Sequence, residues 1–373
     1  MVFKYFNNFL MIEEKNFMIL ALKLARRAKG LSHPNPAVGA VLVKNGRIVG
    51  QGSTQPAGST HAEIVAIKKA GSEARGATLF VTLEPCCIWG KNPPCSDAII
   101  RAGIKKVVLA IKDPNPRING RGVSQLQSAG IKIEYGLGES EARFVNEDFF
   151  KFIKSGLPFV TLKAAQTLDG FIATTTGHSK WISDEGARRF VHQLRAESDA
   201  IVVGWNTIRL DDPHLTTRYG KGKNAHVIIL DPRLRSSPRA QIFNKIGGRT
   251  VCLAVARGTS LRKQAIFRRK GIEILSIQTM RDGIFNLKKV LEYAVQREWI
   301  HLLVEGGSRT FTHFAKQKIV DKVHLFMAHK IMGAGIKVFQ DLGIRAVYQS
   351  LMLKEITLTQ FKKTVLFSGY PVF

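Results

Sequence analysis

Between residues 61 and 95 the chain carries one imidazole and two thiols that a fold must gather at a point. His61-Ala62-Glu63 opens a segment of helical pattern, Glu84-Pro85-Cys86 follows a short apolar run, and Pro93-Pro94-Cys95 opens another helical segment. One nitrogen and two sulfurs suit zinc and leave the fourth tetrahedral position for water, the mark of a catalytic rather than a structural zinc. Helix N-termini carry positive partial charge, which lowers thiol pKa and favours the deprotonated ligand. Glu63 lies two residues from His61, placed to exchange a proton with a zinc-bound water. Cys87 adjoins a ligand but points elsewhere, and reads as a packing or loop residue.

The rest of the composition fits that reading. Four cysteines in 373 residues exclude a disulfide-stapled scaffold, and three of them crowd into residues 86–95, so a metal site in a reducing, cytoplasmic compartment is expected. Cys252 stands alone in an apolar run and reads as an inert buried thiol. With 45% hydrophobic and 23% charged residues, wholesale disorder, a fibre and a multi-span membrane protein are excluded. The length exceeds one ordinary core and suits two domains. Met1–Leu10 is apolar, but Glu13 and Glu14 follow at once, so no membrane span and no signal peptide are expected. Residues 1–11 read as an N-terminal extension, with Met11 as the expected start.

The formal charge of +28 attracts polyanions. The cations are dispersed and runs such as Arg268-Arg269-Lys270 are short. A small phosphorylated substrate satisfies such a surface, and nucleic acid is not the expected ligand.

Apolar runs of strand length alternate with helical patterns. In the first half helices are expected over 13–28, 61–69 and 96–102, and strands over 38–43, 47–50, 78–82 and 106–111, with Asn45-Gly46 as a hairpin turn and Asp113-Pro114-Asn115-Pro116 as a loop. A boundary is expected at Lys154-Ser155-Gly156-Leu157-Pro158. Beyond it, strands are expected over 158–163, 200–204, 226–230, 250–255, 272–277, 301–305, 323–326 and 365–367, and helices over 185–196, 287–296 and 311–316. Such alternation implies layered α/β domains, one over residues 12–153 and one over 157–373.

His-x-Glu followed by Pro-Cys and a second Cys resembles the zinc-dependent nucleoside and nucleobase deaminases, in which Glu is the general acid/base and not a ligand. The eight residues between Cys86 and Cys95, ending GxxPPC, are similar to the deaminase domain of the RibD family of riboflavin biosynthesis. His33-Pro34-Asn35-Pro36-Ala37-Val38-Gly39 and Asp113-Pro114-Asn115-Pro116 resemble the same family's loops. The resemblance implies a cytidine-deaminase-like α/β/α sandwich, with Asn35 and Lys91 facing substrate. Two departures stand out. Ser53-Thr54 and Ile88 occupy positions where family members carry histidines linked to holding the pyrimidine and phosphoribosyl groups.

The second half holds Lys163, Thr167-Leu168-Asp169-Gly170, Ser179-Lys180-Trp181-Ile182-Ser183, Arg195, Asp199, Gly204, Thr207, Asp211-Asp212-Pro213-His214-Leu215-Thr216-Thr217-Arg218 and Val304-Glu305-Gly306-Gly307-Ser308. A glycine turn from strand to helix lets a phosphate approach backbone N–H groups. No G-x-G-x-x-G is present, so a Rossmann fingerprint is not supported. The ordered set resembles the reductase domain of the RibD family, which implies a dihydrofolate-reductase-like α/β fold and NADPH as cofactor. By that resemblance Ala165, Trp181, Thr207, Asp211, Gly307 and Ser308 face NADPH. Ser179, Arg195, Leu215, Arg218 and Glu305 face the substrate, the two guanidinium groups suiting a ribose phosphate. Lys163 and Asp169 are candidates for orientation only. A core indole is the competing reading of Trp181, a solvated turn that of Asp211, and a surface cation that of Arg195. His192, His214 and His301 carry no motif.

The expected function is therefore bifunctional: zinc-dependent deamination of 2,5-diamino-6-(5-phosphoribosylamino)pyrimidin-4(3H)-one, then NADPH-dependent reduction of its ribosyl chain to ribityl. The alternatives are a reductase with an impaired deaminase domain and a basic, nucleic-acid-directed deaminase. The resemblance also implies a homo-oligomer, dimers and tetramers being common in the family.

Overall fold

The computed structural model describes residues 2–90, 92–219, 222–244, 246–280 and 285–373, with side chains from residue 13 onward. The chain divides into two compact units, Met1–Leu157 and Pro158–Phe373.

Unit 1 runs α1 (Val2–Ala28), β1 (Gly39–Lys44), β2 (Arg47–Ser53), α2 (Ala62–Ala70), β3 (Thr78–Val81), α3 (Cys95–Arg101), β4 (Lys106–Leu109), α4 (Arg121–Ser128), β5 (Lys132–Tyr135), α5 (Glu139–Val145) and α6 (Glu147–Ser155). Helix α1 starts well before the expected residue 13, because neither Pro nor Gly interrupts the chain until Gly30. Asn45 and Gly46 both take positive φ, 51° and 73°, as a two-residue hairpin turn requires.

The sheet order is β2-β1-β3-β4-β5, with β1 antiparallel to both neighbours and β3, β4 and β5 parallel. Register shows which helix covers which face. Gly52 pairs with Ala40, and a Cβ on Gly52 would strike the Ala62 carbonyl of α2. Gly39, one residue along β1, points the other way, where a Cβ would strike the Ala21 carbonyl of α1. Helices α1 and α2 thus cover opposite faces of one sheet, an α/β/α sandwich. Leu42, Leu79, Phe80, Ile99 and Leu109 are fully buried in it.

Helix α4 and strand β5 have no counterpart in the sequence reading. The N-cap of α4 is Gly120, in the left-handed region without a side-chain cap of its own, and β5 has two half-buried residues between two exposed ones, with no apolar run.

Unit 2 runs β6 (Phe159–Thr167), β7 (Phe171–Ala173), α7 (Glu185–Glu197), β8 (Ala200–Gly204), α8 (Trp205–Asp211), β9 (His226–Leu230), β10 (Val251–Ala256), α9 (Leu261–Arg268), β11 (Glu273–Ile277), α10 (Lys288–Val295), β12 (His301–Val304), α11 (Ser308–Lys316), β13 (Lys322–Ala328), β14 (Ile336–Lys337), β15 (Met352–Gln360) and β16 (Thr364–Val372). Among the described residues its main sheet has the order β11-β10-β9-β8-β12-β6-β13-β16-β15. Neighbours from β11 to β13 are parallel, and β16 and β15 add an antiparallel edge. Val202 packs into one buried cluster while Ile201 and Val203 pack into the other, so helices bury both faces of this sheet. Strand β15 is exposed along almost its whole length, which is why no hydrophobic pattern announces it.

Candidate functional sites

In unit 1, His61 is the N-cap of α2, Cys86 follows the carboxyl end of β3, and Cys95 is the first residue of α3. His61 Nδ1 lies 3.2 Å from Cys95 Sγ and 3.6 Å from Cys86 Sγ. Among the described residues, these three ligand atoms form the one such group, all within 4.8 Å of one another. A tetrahedral zinc bound at its usual N and S distances holds nitrogen and sulfur about 3.5 Å apart, so the set fits the ion. Cys87 stands outside the group, as expected.

The electrostatics agree. Hydrogen bonding from Cys95, against the opposing effect of burial and with help from His61, holds the Cys86 thiol down at about 4. The hydrogen bond with Cys86, then burial and the nearby Glu63 carboxyl, hold Cys95 up. Two thiols so placed share one proton, and a dication is what lets both ionise. Glu63 sits in the first turn of α2, buried, with Cys86, His61 and Cys95 close enough to act on its carboxyl. Burial, then the charge on Cys86, push it up to about 7.

The neighbouring loop is pinned from far along the chain. Asn146 Oδ1 accepts from the Ala37 N–H at 2.7 Å and its Nδ2 donates to the Ala37 carbonyl at 3.0 Å. Asp148 on α6 lies 3.4 Å from His33 Nε2 and 3.7 Å from Lys29 Nζ. Asn35 lies between these two anchors, half-buried, its N–H donating to Ser32. Lys91 lies outside the described residues. Thr54 turns to the backbone, its Oγ1 accepting from the Val38 N–H at 3.0 Å. Sequence reasoning missed Asn146 and Asp148, whose only signal is polarity on the buried side of a helix start.

In unit 2, a cavity of about 940 Å³ opens where β8, β9 and β12 end. Ligands of parallel α/β sheets bind outside the carboxyl ends of strands. Its lining contains every residue expected there: Ala165, Ser179, Trp181, Arg195, Thr207, Asp211, Leu215, Arg218, Glu305, Gly307 and Ser308. Trp181 is 60% exposed, with the Arg188 guanidinium 4.7 Å from its ring centroid, so it is not a core indole. Asp211 ends α8 and accepts from Ser179 Oγ at 3.3 Å. Gly307 caps α11, whose first residue is the buried Ser308.

At one wall, Arg195 donates from Nε to Glu305 Oε1 at 2.6 Å and from Nη2 to Oε2 at 2.8 Å. Its Nη1 reaches the Thr216 carbonyl at 3.4 Å. The guanidinium is thus no surface cation, and much of its donor capacity is spent inside the protein. Lys163 Nζ lies 3.7 Å from the same carboxylate, and burial lowers its pKa. Burial pushes Glu305 up, but Arg195, followed by Lys163, outweighs it and holds the carboxyl at about 2.

Asp169 has a different task from Lys163. It is exposed and accepts from the N–H groups of Met332 at 2.9 Å and Gly333 at 2.7 Å, tying down a loop. His192, which carries no motif, also lines the cavity, and its Nδ1 accepts from the Arg218 N–H at 3.1 Å. Burial, then Arg195 and Arg218, lower it to about 4, so it is neutral. Arg249 donates to the carbonyls of Leu215 and His214, holding the same segment from the other side. Nothing around Arg249 in the sequence signals this.

A family model described as the RibD C-terminal domain matches residues 158–367. Another, the cytidine and deoxycytidylate deaminase zinc-binding region, matches residues 11–111. The riboflavin biosynthesis protein RibD of Aquifex aeolicus is 47% identical over 343 residues, covering 92% of this chain and 94% of that protein. The chain belongs to the RibD family. The RibD of Bacillus amyloliquefaciens is 40% identical, over 86% of this chain and 85% of that one. Among solved structures, a Thermotoga maritima diaminohydroxyphosphoribosylaminopyrimidine deaminase/5-amino-6-(5-phosphoribosylamino)uracil reductase is 35% identical with a TM-score of 0.84, covering 96% of this chain and 99% of that one. Acinetobacter baumannii RibD is 32% identical with the same TM-score, over 97% and 99%. Unit 1 is therefore the zinc-binding deaminase domain of a RibD-family protein and unit 2 its reductase domain.

Proposed function

We propose that this chain carries out both RibD-family steps: hydrolytic deamination of 2,5-diamino-6-(5-phosphoribosylamino)pyrimidin-4(3H)-one in unit 1, and reduction of the deaminated product's ribosyl group to ribityl in unit 2. The observation that carries the reading is the His61, Cys86 and Cys95 cluster with the buried Glu63 carboxyl beside it.

Zinc, when bound by these three residues, supplies an acidified water as nucleophile. Glu63 takes a proton from that water and returns it to the departing ammonia. Asn35 pairs its amide with the pyrimidine edge, and Lys91 remains a substrate-binding candidate on the sequence resemblance alone.

NADPH, when bound, supplies the hydride that reaches C1 of the ribosyl group. Ala165, Trp181, Thr207 and Asp211 line its side of the cavity, and Gly307 and Ser308 offer backbone N–H groups at the start of α11 to a phosphate. Arg218, exposed at the rim, clamps the substrate phosphate, while Ser179 and Leu215 shape the ring and ribose pocket. Arg195 and Glu305 act as a pair, each orienting the other toward the substrate.

The four free thiols fit a reducing, cytoplasmic compartment. Among the described residues no helix is long and apolar enough to cross a membrane. A homo-oligomer is supported by the exposed edge strand β15, with Met352, Ile356 and Leu358 outward.

The test is Glu63→Gln assayed in two halves. Ammonia release should fall by about a thousand-fold, as loss of general acid–base catalysis does. Zinc content and NADPH oxidation on the deaminated substrate should stay unchanged. A folded variant that loses both activities together contradicts two separate sites.

A further inference from the structure

Helix α4 carries none of the metal ligands, yet it is bonded to both thiol-bearing segments. At its start the buried Glu84 carboxylate, two residues before Cys86, accepts from the Gly120 N–H at 3.0 Å and the Val123 N–H at 3.2 Å. It also accepts from the Asp113 N–H at 3.2 Å, which ties the Asp113–Pro116 turn to the same point. An oxygen that satisfies the first N–H groups of a helix is a cap. Here the cap comes from the segment after a distant strand, β3, rather than from the residue before the helix. The packing is tight as well, since a Cβ on Gly122 would strike the Pro85 carbonyl, next to Cys86.

One turn further along, the Gln125 carboxamide grips the other thiol segment. Ser96 Oγ donates to Gln125 Oε1 at 2.7 Å, and Gln125 Nε2 donates to Asp97 Oδ1 at 2.7 Å. Ser96 and Asp97 directly follow Cys95 in α3. One short rigid helix therefore fixes the distance between the backbone that presents Cys86 and the backbone that presents Cys95.

We propose that α4 is a brace for the metal centre, with Glu84 and Gln125 as positioning residues that hold the two thiol ligands at the spacing zinc requires. Groups that orient ligands without touching the metal commonly change its affinity by about 10- to 100-fold. The brace rests on the zinc-deaminase reading of unit 1. Its test follows metal retention, not ammonia release, so the two fail separately.

Zinc-loaded full-length protein is mixed with a chromogenic zinc chelator and the release rate is read. Gln125→Glu puts a second carboxylate against Asp97 and should release zinc about ten-fold faster. Adding Asp97→Asn restores a donor opposite the new carboxylate, and the Asp97→Asn/Gln125→Glu double variant should return to the wild-type rate. Gln125→Ala, which removes both hydrogen bonds without adding charge, should also release zinc faster and guards against a charge-induced failure to fold. Wild-type release from both Gln125→Glu and Gln125→Ala overturns the proposal. So does a double variant that releases zinc as fast as Gln125→Glu, because the hydrogen bonds would then not be what holds the metal.

Discussion

Arg195 and Glu305 meet edge to edge across the cavity wall of unit 2, two parallel hydrogen bonds of 2.6 and 2.8 Å joining a helix to the end of a strand. The two side chains are only 14% and 6% exposed, and Lys163 stands beside them as a third charged member. Arg195 and Arg218 line the same cavity and carry the same guanidinium, yet they should behave differently on mutation. Arg195→Ala strands a buried carboxylate and should destabilise unit 2 by about 3 kcal/mol. Arg218→Ala leaves no buried partner behind. It should raise KM for the phosphorylated reductase substrate about ten-fold, the value of one charge-assisted contact, at unchanged stability. Denaturant titration beside steady-state kinetics separates the two.

Acid should loosen unit 2 in two stages. His192 is held at about 4, below its ordinary 6.5, so the unfolded chain takes up that proton first and stability declines as pH falls from about 6.5 to about 4. Glu305 is held at about 2, so its stabilising contribution is complete above about 4.5 and is lost as pH falls toward 2. Urea midpoints measured across this range should fall in both windows in the wild type. The upper window should shrink in His192→Gln, which keeps an acceptor for the Arg218 N–H without titrating.

Ile88 lies between Cys86 and Cys95 in the chain, at a position where the family resemblance implies a histidine. Ile88→His should therefore lower KM for the deaminase substrate by up to about ten-fold, the worth of one hydrogen bond to a charged group, without changing zinc content. An unchanged KM with intact turnover would mean that this chain grips its substrate by other residues.

The legible parts of the sequence were those whose chemistry is local. His61, Glu63, Cys86 and Cys95 stand at element starts or strand ends, where ligand chemistry and helix-start patterns coincide, and the structure gathers them. The eleven cavity residues of unit 2 were legible only through their order and their resemblance to a family, since a lone Thr207 or Leu215 carries no chemical signature. The missed features depend on distant partners. Asn146 serves Ala37, Arg249 serves His214 and Leu215, and Glu84 caps a helix beginning at Arg121. A side chain whose partner lies tens of residues away leaves no periodicity to read. Strand β15 and helix α4 escaped for a related reason: one lacks an apolar run, and the other has glycine, Gly120, at its N-cap position and so no local capping side chain.

One zinc, held by His61, Cys86 and Cys95, is expected to serve the deaminase alone. Stripping the metal with a chelator and assaying both half-reactions tests it most directly. One zinc per chain is expected before treatment, with loss of ammonia release on stripping, its return on adding zinc, and undisturbed NADPH oxidation on the deaminated substrate throughout. Ammonia release that persists in metal-free protein, or a reductase that fails and recovers in step with the deaminase, would contradict it.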